Sequence, residues 1–422
     1  MKTAGHPLRV KSANGSRLQL EDGRSIVDCI SSWWVTLHGH GNEVIAKAVY
    51  DQALQLEHVI FAGFTHEPAE STAAGVMRHL PSELTRIFFS DNGSTSVEVA
   101  LKMAYQYWRN VGQSERTKFI GFEGGYHGDT LGAMSAGGSS PFWAPFQRLM
   151  FPLDSVPFPD TFEGDTESES KEQATIAAMR ALLEQSPREY AAIIIEPLVQ
   201  GAAGMRMCTP RFLQSLRALA NEFDVLLIFD EVMTGFGRTG DWFACMKAKV
   251  VPDIICLSKG ITGGFLPLSV TLCIEKIYQA FYSDEFEKAL FHSHSYTGNP
   301  LACAAAKASM TLLENNPALF FDMETRHRRL SEQHLLPTGK FTRIRYCGTI
   351  AAFDIKTIDK HDYFSKLSPL LRSEFLKEGL LLRPLGNTIY FMPPLCTDDE
   401  TLNYMYTTVA RVVSRTTAAL AK

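Results

Sequence analysis

The strongest constraint on the fold of this chain comes from two short apolar runs that each lead to one ionisable side chain. Residues 225–229 are Val-Leu-Leu-Ile-Phe and are followed by Asp230, while residues 254–257 are Ile-Ile-Cys-Leu and are followed by Ser258 and Lys259. Short, β-branched runs of this kind are typical of strands that are buried on both faces of a sheet. We therefore expect Asp230 and Lys259 to lie at the ends of neighbouring buried strands.

This pair of ionisable residues indicates a chemistry. A carboxylate at the end of a buried strand is costly unless a cationic group meets it. A lysine in such a place forms Schiff bases when its surroundings lower its pKa. Together the two residues suit pyridoxal phosphate, with Lys259 bound to the cofactor and Asp230 keeping the pyridine nitrogen protonated. The alternative is that Asp230 and Lys259 only pair with each other, and the two residues alone do not decide between these readings.

The bulk properties are those of a globular protein with more than one lobe. The 422 residues predict two or three lobes of about 100–200 residues each. The formal net charge of −5 offers no basic surface, so we expect no nucleic acid partner. No apolar run approaches the ~20 residues of a membrane span, and the first residues lack the apolar core of a signal peptide. Eight scattered cysteines without a Cys-x-x-Cys pair favour reduced thiols in the cytoplasm over disulfides.

The order of predicted elements divides the chain into three parts. Helices are predicted at 43–56, 67–79, 95–110, 171–185 and 211–222, and strands at 86–89, 118–122, 191–196, 225–230, 254–257 and 268–273. This alternation argues for a mostly parallel sheet with helices on both faces. We interpret 1–50 as an N-terminal segment with one hairpin that packs with the small domain, 51–316 as a large domain, and 317–422 as a small α/β domain with helices at 363–377 and 399–414. Residues 154–170 are expected to form an exposed loop.

Three loops carry candidate binding residues. Gly93 and Ser94 stand between a strand and a helix, where free backbone amides favour an anion such as phosphate; helix capping by Ser94 or Asp91 is the alternative. Tyr126 stands on a Gly-flanked loop and could stack on a planar ring, or be a turn tyrosine with a solvated hydroxyl. The loop at 292–299 holds two histidines but no matching acidic or thiol ligands, so we predict a second phosphate-contacting loop there and no metal site.

Two further residues are candidates for the substrate pocket. Arg383 ends a strand predicted at 379–383, where its guanidinium could grip a carboxylate in bidentate fashion. A surface ion pair is the alternative for this arginine. Trp33 lies on an irregular segment and could form an apolar wall, although tryptophans in such places are more often part of the core.

Taken together, these residues resemble the class III branch of the fold-type I aminotransferases. The resemblance spans residues 16–410, and its most specific motif is Asp-Glu-Val-Met-Thr-Gly-Phe-Gly-Arg-Thr-Gly at 230–240, followed by Pro-Asp-Ile and Ser-Lys. It implies an α/β fold with a mostly parallel seven-stranded sheet in the large domain and a small α/β C-terminal domain. It also implies a homodimer with shared active sites and ping-pong transamination with pyridoxal phosphate.

The resemblance assigns roles residue by residue. It implies that Lys259 binds the cofactor and moves the substrate proton, and that Asp230 pairs with the pyridine nitrogen. The remaining cofactor contacts that it implies are Gly93, Ser94, Tyr126, His294 and Ser295, the last two from the neighbouring subunit. The substrate contacts that it implies, in addition to Tyr126 and Lys259, are Trp33, Asp129, Arg238, Ser293 and Arg383, the last holding a carboxylate.

Within the class, the chain is most similar to the biotin-pathway branch, which implies S-adenosyl-L-methionine as amino donor and 8-amino-7-oxononanoate as acceptor. Met233 agrees with this branch, because ornithine- and aminobutyrate-type relatives usually carry Gln there. Some members use lysine as donor, and no residue decides between the donors. The alternatives are another class III ω-aminotransferase and a non-catalytic cofactor-binding protein, while the absence of Gly-x-Gly-x-x-Gly after any strand disfavours an NAD-linked dehydrogenase.

The chain departs from the class at two places. Members usually carry an aromatic-Pro-Tyr/Phe-Thr segment before the position at which this sequence begins, so we expect either a start assigned too late or a substrate site without that wall. Ser293 also replaces a residue that is often Gly. Both departures bear on substrate affinity more than on reaction type.

Overall fold

A seven-stranded sheet carries Asp230 and the strand that leads to Lys259. The computed structural model describes residues 7–138, 143–356 and 367–420. In these ranges the strands are β1 (Val10–Asn14), β2 (Arg17–Leu20), β3 (Ser25–Asp28), β4 (Leu84–Ser90), β5 (Lys118–Phe122), β6 (Asp154–Val156), β7 (Tyr190–Ile195), β8 (Val199–Gln200), β9 (Arg206–Met207), β10 (Leu226–Asp230), β11 (Ile254–Leu257), β12 (Ser269–Ile274), β13 (Phe341–Cys347), β14 (Ile350–Ile355), β15 (Leu380–Leu381) and β16 (Thr388–Phe391).

The large sheet has the strand order β4-β12-β11-β10-β7-β5-β6. Strand β12 runs antiparallel to both of its neighbours, and the other strands are parallel to one another. The prediction of a mostly parallel seven-stranded sheet is therefore confirmed. Because the carboxyl ends of parallel strands meet at one edge, the loops after β4, β5, β7, β10 and β11 converge there.

Side chains of the central strands alternate between two apolar clusters, one on each face of the sheet. Leu227 and Phe229 belong to the larger cluster, and Leu226 and Ile228 belong to the smaller one, with Trp108. All four side chains are at most 3% exposed. Each such side chain contributes about 1.5–3 kcal/mol when it is buried, so the strand ends that carry Asp230 and Lys259 are rigidly held.

Helices begin where the sequence supplies caps. The side chains of Asn42, Asn92, Thr209 and Asn299 each accept a backbone N–H of the helix that follows. The α-helices are Glu43–Gln55, Glu67–Arg78, Gly93–Asn110, Leu131–Ala136, Ser168–Gln185, Pro210–Glu222, Ala244–Ala248, Glu275–Phe281, Pro300–Asn315, Ala318–Phe321, Met323–Leu330, Leu367–Lys377 and Asp399–Leu420. Tighter or wider single turns occur at Ala144–Leu149, Lys259–Thr262, Phe286–Lys288, Ser331–Leu335 and Leu336–Thr338. No helix in the described ranges has both the length and the apolar character needed to cross a membrane.

The two ends of the chain form smaller sheets. Strands β13, β14 and β16 make an antiparallel sheet. Strand β15 joins β1, β2 and β3 in a four-stranded sheet, in which Leu381 of β15 pairs with Asp28 of β3. The division of domains at residues 50 and 316 stays a prediction.

Three sequence predictions need correction. The segment 154–170 is not wholly an exposed loop, because β6 pairs with β5, Phe158 is buried and a helix begins at Ser168. The C-terminal helix runs beyond the predicted residue 414, to Leu420. The N-terminal segment is more regular than expected, because β1 adds to the predicted hairpin. The predicted helix start at 363 lies outside the described residues.

Candidate active site

Asp230 and His127 form a buried pair at the carboxyl edge of the sheet. The Asp230 carboxylate accepts a hydrogen bond from His127 Nδ1 at 2.6 Å and another from the backbone N–H of Val232 at 3.0 Å. Both side chains are at most 4% exposed. Burial opposes protonation of the imidazole, but the hydrogen bond and the charge of Asp230 outweigh it, so the pKa of His127 is raised. Asp230 thus pairs with His127 in the structure, and its pairing with a pyridine nitrogen stays a prediction.

Lys259 begins a single turn directly after β11 and Ser258, and its backbone has a positive φ of 47°. Its Nζ lies 4.8 Å from the centre of the Trp34 ring. Burial lowers the pKa of Lys259 to about 8, against the opposing charges of Asp230 and Glu196. At pH 7 about a tenth of the amine is therefore uncharged, which is the nucleophilic form and a far larger share than for an ordinary lysine.

Glu196 follows β7 and links two loops of the site. Its carboxylate accepts the backbone N–H of Tyr126 at 3.0 Å and that of Gly201 at 3.0 Å. Burial raises the pKa of Glu196 to about 7, although the charge of His127 opposes this. Glu196 therefore fixes the loop that carries Tyr126 and His127.

Gly93 and Ser94 begin the 18-residue helix Gly93–Asn110. The helix is capped by Asn92, whose side chain accepts the N–H of Thr95, so neither Ser94 nor Asp91 is the capping residue. The Ser94 hydroxyl instead contacts Thr130 Oγ1 at 2.7 Å. A Cβ added at Gly93 would lie 2.5 Å from Val232 Cγ1, so only glycine lets the helix start come this close to β10.

Tyr126 stands between two cavities. Its hydroxyl donates to Asp129 at 3.1 Å, and its ring is stacked near Trp143, with centroids 6.4 Å apart. Burial, with the charge of Asp129, raises the pKa of Tyr126 to about 12, so the phenol stays protonated. The hydroxyl thus has a protein partner, and the role of Tyr126 in stacking on a ring stays a prediction.

Trp33 and Arg383 come from distant parts of the chain and meet in the larger cavity. The Arg383 guanidinium carbon lies 4.2 Å from the centre of the Trp33 ring. Trp33 is 50% exposed, so it is a cavity wall and not a core residue. The cation–π contact holds the guanidinium while leaving its N–H groups available to a carboxylate.

The smaller cavity, of about 710 Å³, is lined by Lys259, Asp230, His127, Gly93 and Ser94. The larger, of about 1280 Å³, is lined by Trp33 and Arg383. Trp34, Tyr126 and Asp129 line both cavities, and Met233 lines the smaller one. The structure thus brings together, in two adjoining spaces, most of the residues that the sequence singled out.

Four predicted site residues lie outside the two cavities. Arg238 is 1% exposed and donates to the backbone oxygens of Pro393 and Thr36, each at 3.2 Å. Ser293, His294 and Ser295 lie on the loop before the helix Pro300–Asn315 and line neither cavity. The roles predicted for these four residues stay predictions.

Sequence reasoning missed the roles of His127 and Glu196. His127 pairs with a residue 103 positions away and Glu196 reaches Tyr126 across 70 positions, so no local spacing reveals these two contacts. The available signal was position, because both residues follow buried parallel strands at the edge where ligands bind.

The residues of the smaller cavity fit pyridoxal phosphate. The helix that begins at Gly93, where a side chain would clash with Val232, offers backbone N–H groups to a phosphate. A buried carboxylate, Asp230, suits a pyridinium nitrogen, and a lysine with a lowered pKa suits an aldehyde. These described residues of the smaller cavity are therefore of the chemical types that the cofactor needs.

Comparison with known proteins agrees with this geometry. The family model "Aminotransferase class-III" matches residues 1–413. An adenosylmethionine-8-amino-7-oxononanoate aminotransferase from Synechococcus elongatus is 52% identical over 413 residues, which are 97% of this chain and 96% of that protein. The crystal structure of adenosylmethionine-8-amino-7-oxononanoate aminotransferase from Methanocaldococcus jannaschii has a TM-score of 0.89 and 32% identity, over 97% of this chain and 94% of that one.

A PLP-bound amine transaminase from an uncultivated Pseudomonas species has a similar structure, with a TM-score of 0.91 and 29% identity over 98% of this chain and 97% of that one. The sequence matches and the structural matches thus cover nearly the whole chain. This chain belongs to the class III aminotransferases.

Proposed function

We propose that this protein transfers an amino group from S-adenosyl-L-methionine to 8-amino-7-oxononanoate, a step of biotin biosynthesis, with pyridoxal phosphate as cofactor. The observation that carries the proposal is the pair of adjoining cavities. One holds Lys259 and Asp230, and the other ends in the Trp33–Arg383 contact. The similarity to the Synechococcus elongatus enzyme over 96% of its length supports the choice of substrates.

The cofactor would be held by residues of the smaller cavity. Gly93 and Ser94 would hold the phosphate at the helix start, and Tyr126 would lie against the ring. When bound, pyridoxal phosphate supplies an electron sink that makes a carbon-bound proton of the substrate removable. The Asp230 carboxylate, oriented by His127 Nδ1, holds a proton at the pyridine nitrogen. The Lys259 amine, with its lowered pKa, takes the substrate proton and returns it.

The larger cavity would select the acceptor. A keto acid with a long aliphatic chain needs an apolar wall and a cation at the far end. Trp33 supplies the wall and Arg383 the cation. Asp129 lines both cavities and, with Arg238, is proposed to tune substrate binding.

We propose further that two copies of the chain share their active sites, in the cytoplasm. Ser293, His294 and Ser295 line neither cavity of their own chain, which is consistent with a role in a neighbouring subunit. Ser293 would lie near the substrate, and His294 and Ser295 near the phosphate.

The test is a spectroscopic titration of the enzyme loaded with pyridoxal phosphate. We expect S-adenosyl-L-methionine to bleach the visible band of the bound cofactor and 8-amino-7-oxononanoate to restore it. Bleaching by lysine alone would keep the acceptor and change the donor. Bleaching only by unrelated amines would assign the protein to another class III ω-aminotransferase, and a protein that shows no visible band with the cofactor would contradict an enzymatic role.

A further inference from the structure

The turn that carries both active-site tryptophans has an unusual backbone. Ser31, Ser32, Trp33 and Trp34 are four consecutive non-glycine residues with positive φ, at 50°, 50°, 101° and 71°. L-amino acids adopt this region rarely, and bulky residues most rarely of all. Such a conformation persists only when surrounding contacts hold it in place.

The Asp28 carboxylate supplies several of those contacts, in addition to the hydrogen bonds from Ser31 Oγ to Met392 O at 2.8 Å and from Trp34 N to Ile30 O at 2.9 Å. It accepts hydrogen bonds from Ile30 N at 3.2 Å, Ser32 N at 2.9 Å, Ser32 Oγ at 2.7 Å and His40 Nε2 at 2.9 Å. The Asp28 side chain is fully buried. Burial raises the pKa of Asp28, but the hydrogen bonds from His40 and Ser32 more than offset it, so the pKa is lowered and the group is a carboxylate.

Asp28 also lies beside the strand that leads to Arg383. It is the last residue of β3, and it pairs in register with Leu381 of β15, two residues before Arg383. Because β3 and β15 are parallel, the turn with the two tryptophans and the segment with Arg383 both begin at the same end of the sheet. The two segments then meet in the Trp33–Arg383 contact at 4.2 Å.

The two tryptophans differ in how firmly they are held without Asp28. Trp34 is buried, and its Nε1 donates to Tyr390 Oη at 3.0 Å. Trp33 is 50% exposed, and its one described ring contact is with Arg383. A loosened turn would therefore displace Trp33 and Arg383 more than Trp34, which lies beside Lys259.

We propose that Asp28 is a positioning residue for the carboxylate end of the substrate site. Its carboxylate holds the strained turn, the turn places Trp33, and Trp33 orients the Arg383 guanidinium. This inference rests on the proposed function for the identity of the substrate. Its test, however, needs no amino transfer, because an unreactive chain of the same length with the same terminal carboxylate serves as the probe.

The probe is nonanoate, titrated by calorimetry into the enzyme loaded with pyridoxal phosphate. We expect Asp28→Asn to raise the Kd for nonanoate by roughly tenfold, the equivalent of one charge-assisted hydrogen bond. Ser32→Ala, which removes only the hydroxyl bond, should raise it less and in the same direction. The visible band of the cofactor should be unchanged in both variants, because Trp34 keeps its own anchor.

A double-mutant cycle separates positioning from general destabilisation. In an Arg383→Met background, Asp28→Asn should have no further effect on the Kd, because it acts through Arg383. Asp253→Asn is the matched control: this carboxylate also accepts a backbone N–H and a cationic group, from Leu227 and Arg217, each at 2.7 Å. It lies at the opposite end of β11 from Lys259, so its variant should lose stability but keep its Kd for nonanoate.

Three outcomes would overturn the proposal. The first is that the wild-type enzyme does not bind nonanoate. The second is that the Asp28→Asn and Ser32→Ala variants bind it as tightly as the wild type. The third is that Asp28→Asn raises the Kd by the same factor in the Arg383→Met background. If Asp28→Asn does not fold, the Ser32→Ala measurement decides alone. Failure of S-adenosyl-L-methionine to bleach the cofactor would count against the proposed function and not against the role of Asp28.

Discussion

Replacing Gly93 by alanine tests whether the start of the Gly93–Asn110 helix holds the cofactor phosphate. The added Cβ would lie 2.5 Å from Val232 Cγ1 and 3.0 Å from Cγ2. Carbon atoms in contact are about 3.5–4.0 Å apart, so the helix start and Val232 must separate by about 1 Å. Val232 is not free to move, because its backbone N–H donates to Asp230 at 3.0 Å. The helix start must therefore give way.

The expected loss follows from that displacement. Overpacking of this size costs about 1–3 kcal/mol. If the strain appears in cofactor binding, the Kd for pyridoxal phosphate rises by about 5- to 150-fold. The measurement is a titration of the apoprotein with pyridoxal phosphate, followed by its visible absorbance.

A second substitution makes the reasoning specific to one contact. Val232→Ala removes both methyl groups that the new Cβ would meet, so the Gly93→Ala/Val232→Ala variant should recover most of the affinity. Val232→Ala alone should bind pyridoxal phosphate within about threefold of the wild type. An unchanged Kd in Gly93→Ala would show that the phosphate is not held at this helix start. A double variant as weak as the single one would show that the contact with Val232 is not the cause.

Three further variants test other parts of the site. Lys259→Ala should abolish the visible cofactor band and transamination, and a band that persists in a spectrum of the purified variant would contradict its role. Arg383→Met should lower kcat/KM for the acceptor by about 100-fold, measured by single-turnover absorbance, and leave a carboxylate-free amine donor unaffected. Burial raises the pKa of Glu231 to about 7, so the folded protein takes up a proton that the unfolded chain releases above its ordinary pKa of 4.5. The free energy of unfolding of the wild type therefore falls by up to about 3 kcal/mol as the pH rises from 4.5 to about 7. The Glu231→Gln variant should show a smaller fall over that pH range, measured by urea unfolding of the apoprotein. If the unfolding free energies of variant and wild type fall in parallel with pH, this reasoning is refuted.

The buried strands were predictable because their apolar character is local and continuous. Predicted strands 118–122 and 254–257 coincide with β5 and β11. Both have near-complete burial on both faces, which produces an unbroken apolar run. Strand β6 was not predicted, because its three residues, Asp-Ser-Val, carry no such pattern and form a strand only by pairing with β5.

The pairing of Asp230 with His127 and the turn at residues 31–34 could not be predicted for a different reason. Both depend on contacts between side chains and segments that come together only after folding. Four consecutive positive φ angles contradict the local preference of Ser and Trp, and they are held by long-range contacts that include the Asp28 carboxylate and the Met392 carbonyl. A motif can therefore show that Trp33 matters without showing how it is held.

The fold separates the chemistry of the site from its choice of substrate. Asp230 ends strand β10 and Lys259 follows strand β11 in the middle of the large sheet, where both faces are buried and small displacements are resisted. Trp33 follows β3 and Arg383 follows its neighbour β15, the edge strand of another sheet, and Trp33 is half exposed. With the roles proposed above, changes in the second pair would alter which carboxylate or chain length fits without disturbing the proton transfers at the first. We therefore expect relatives of this chain to share the proposed Lys259 chemistry and to differ in substrate, with the discriminating residues around the β3–β15 pairing rather than in the motif at 230–240.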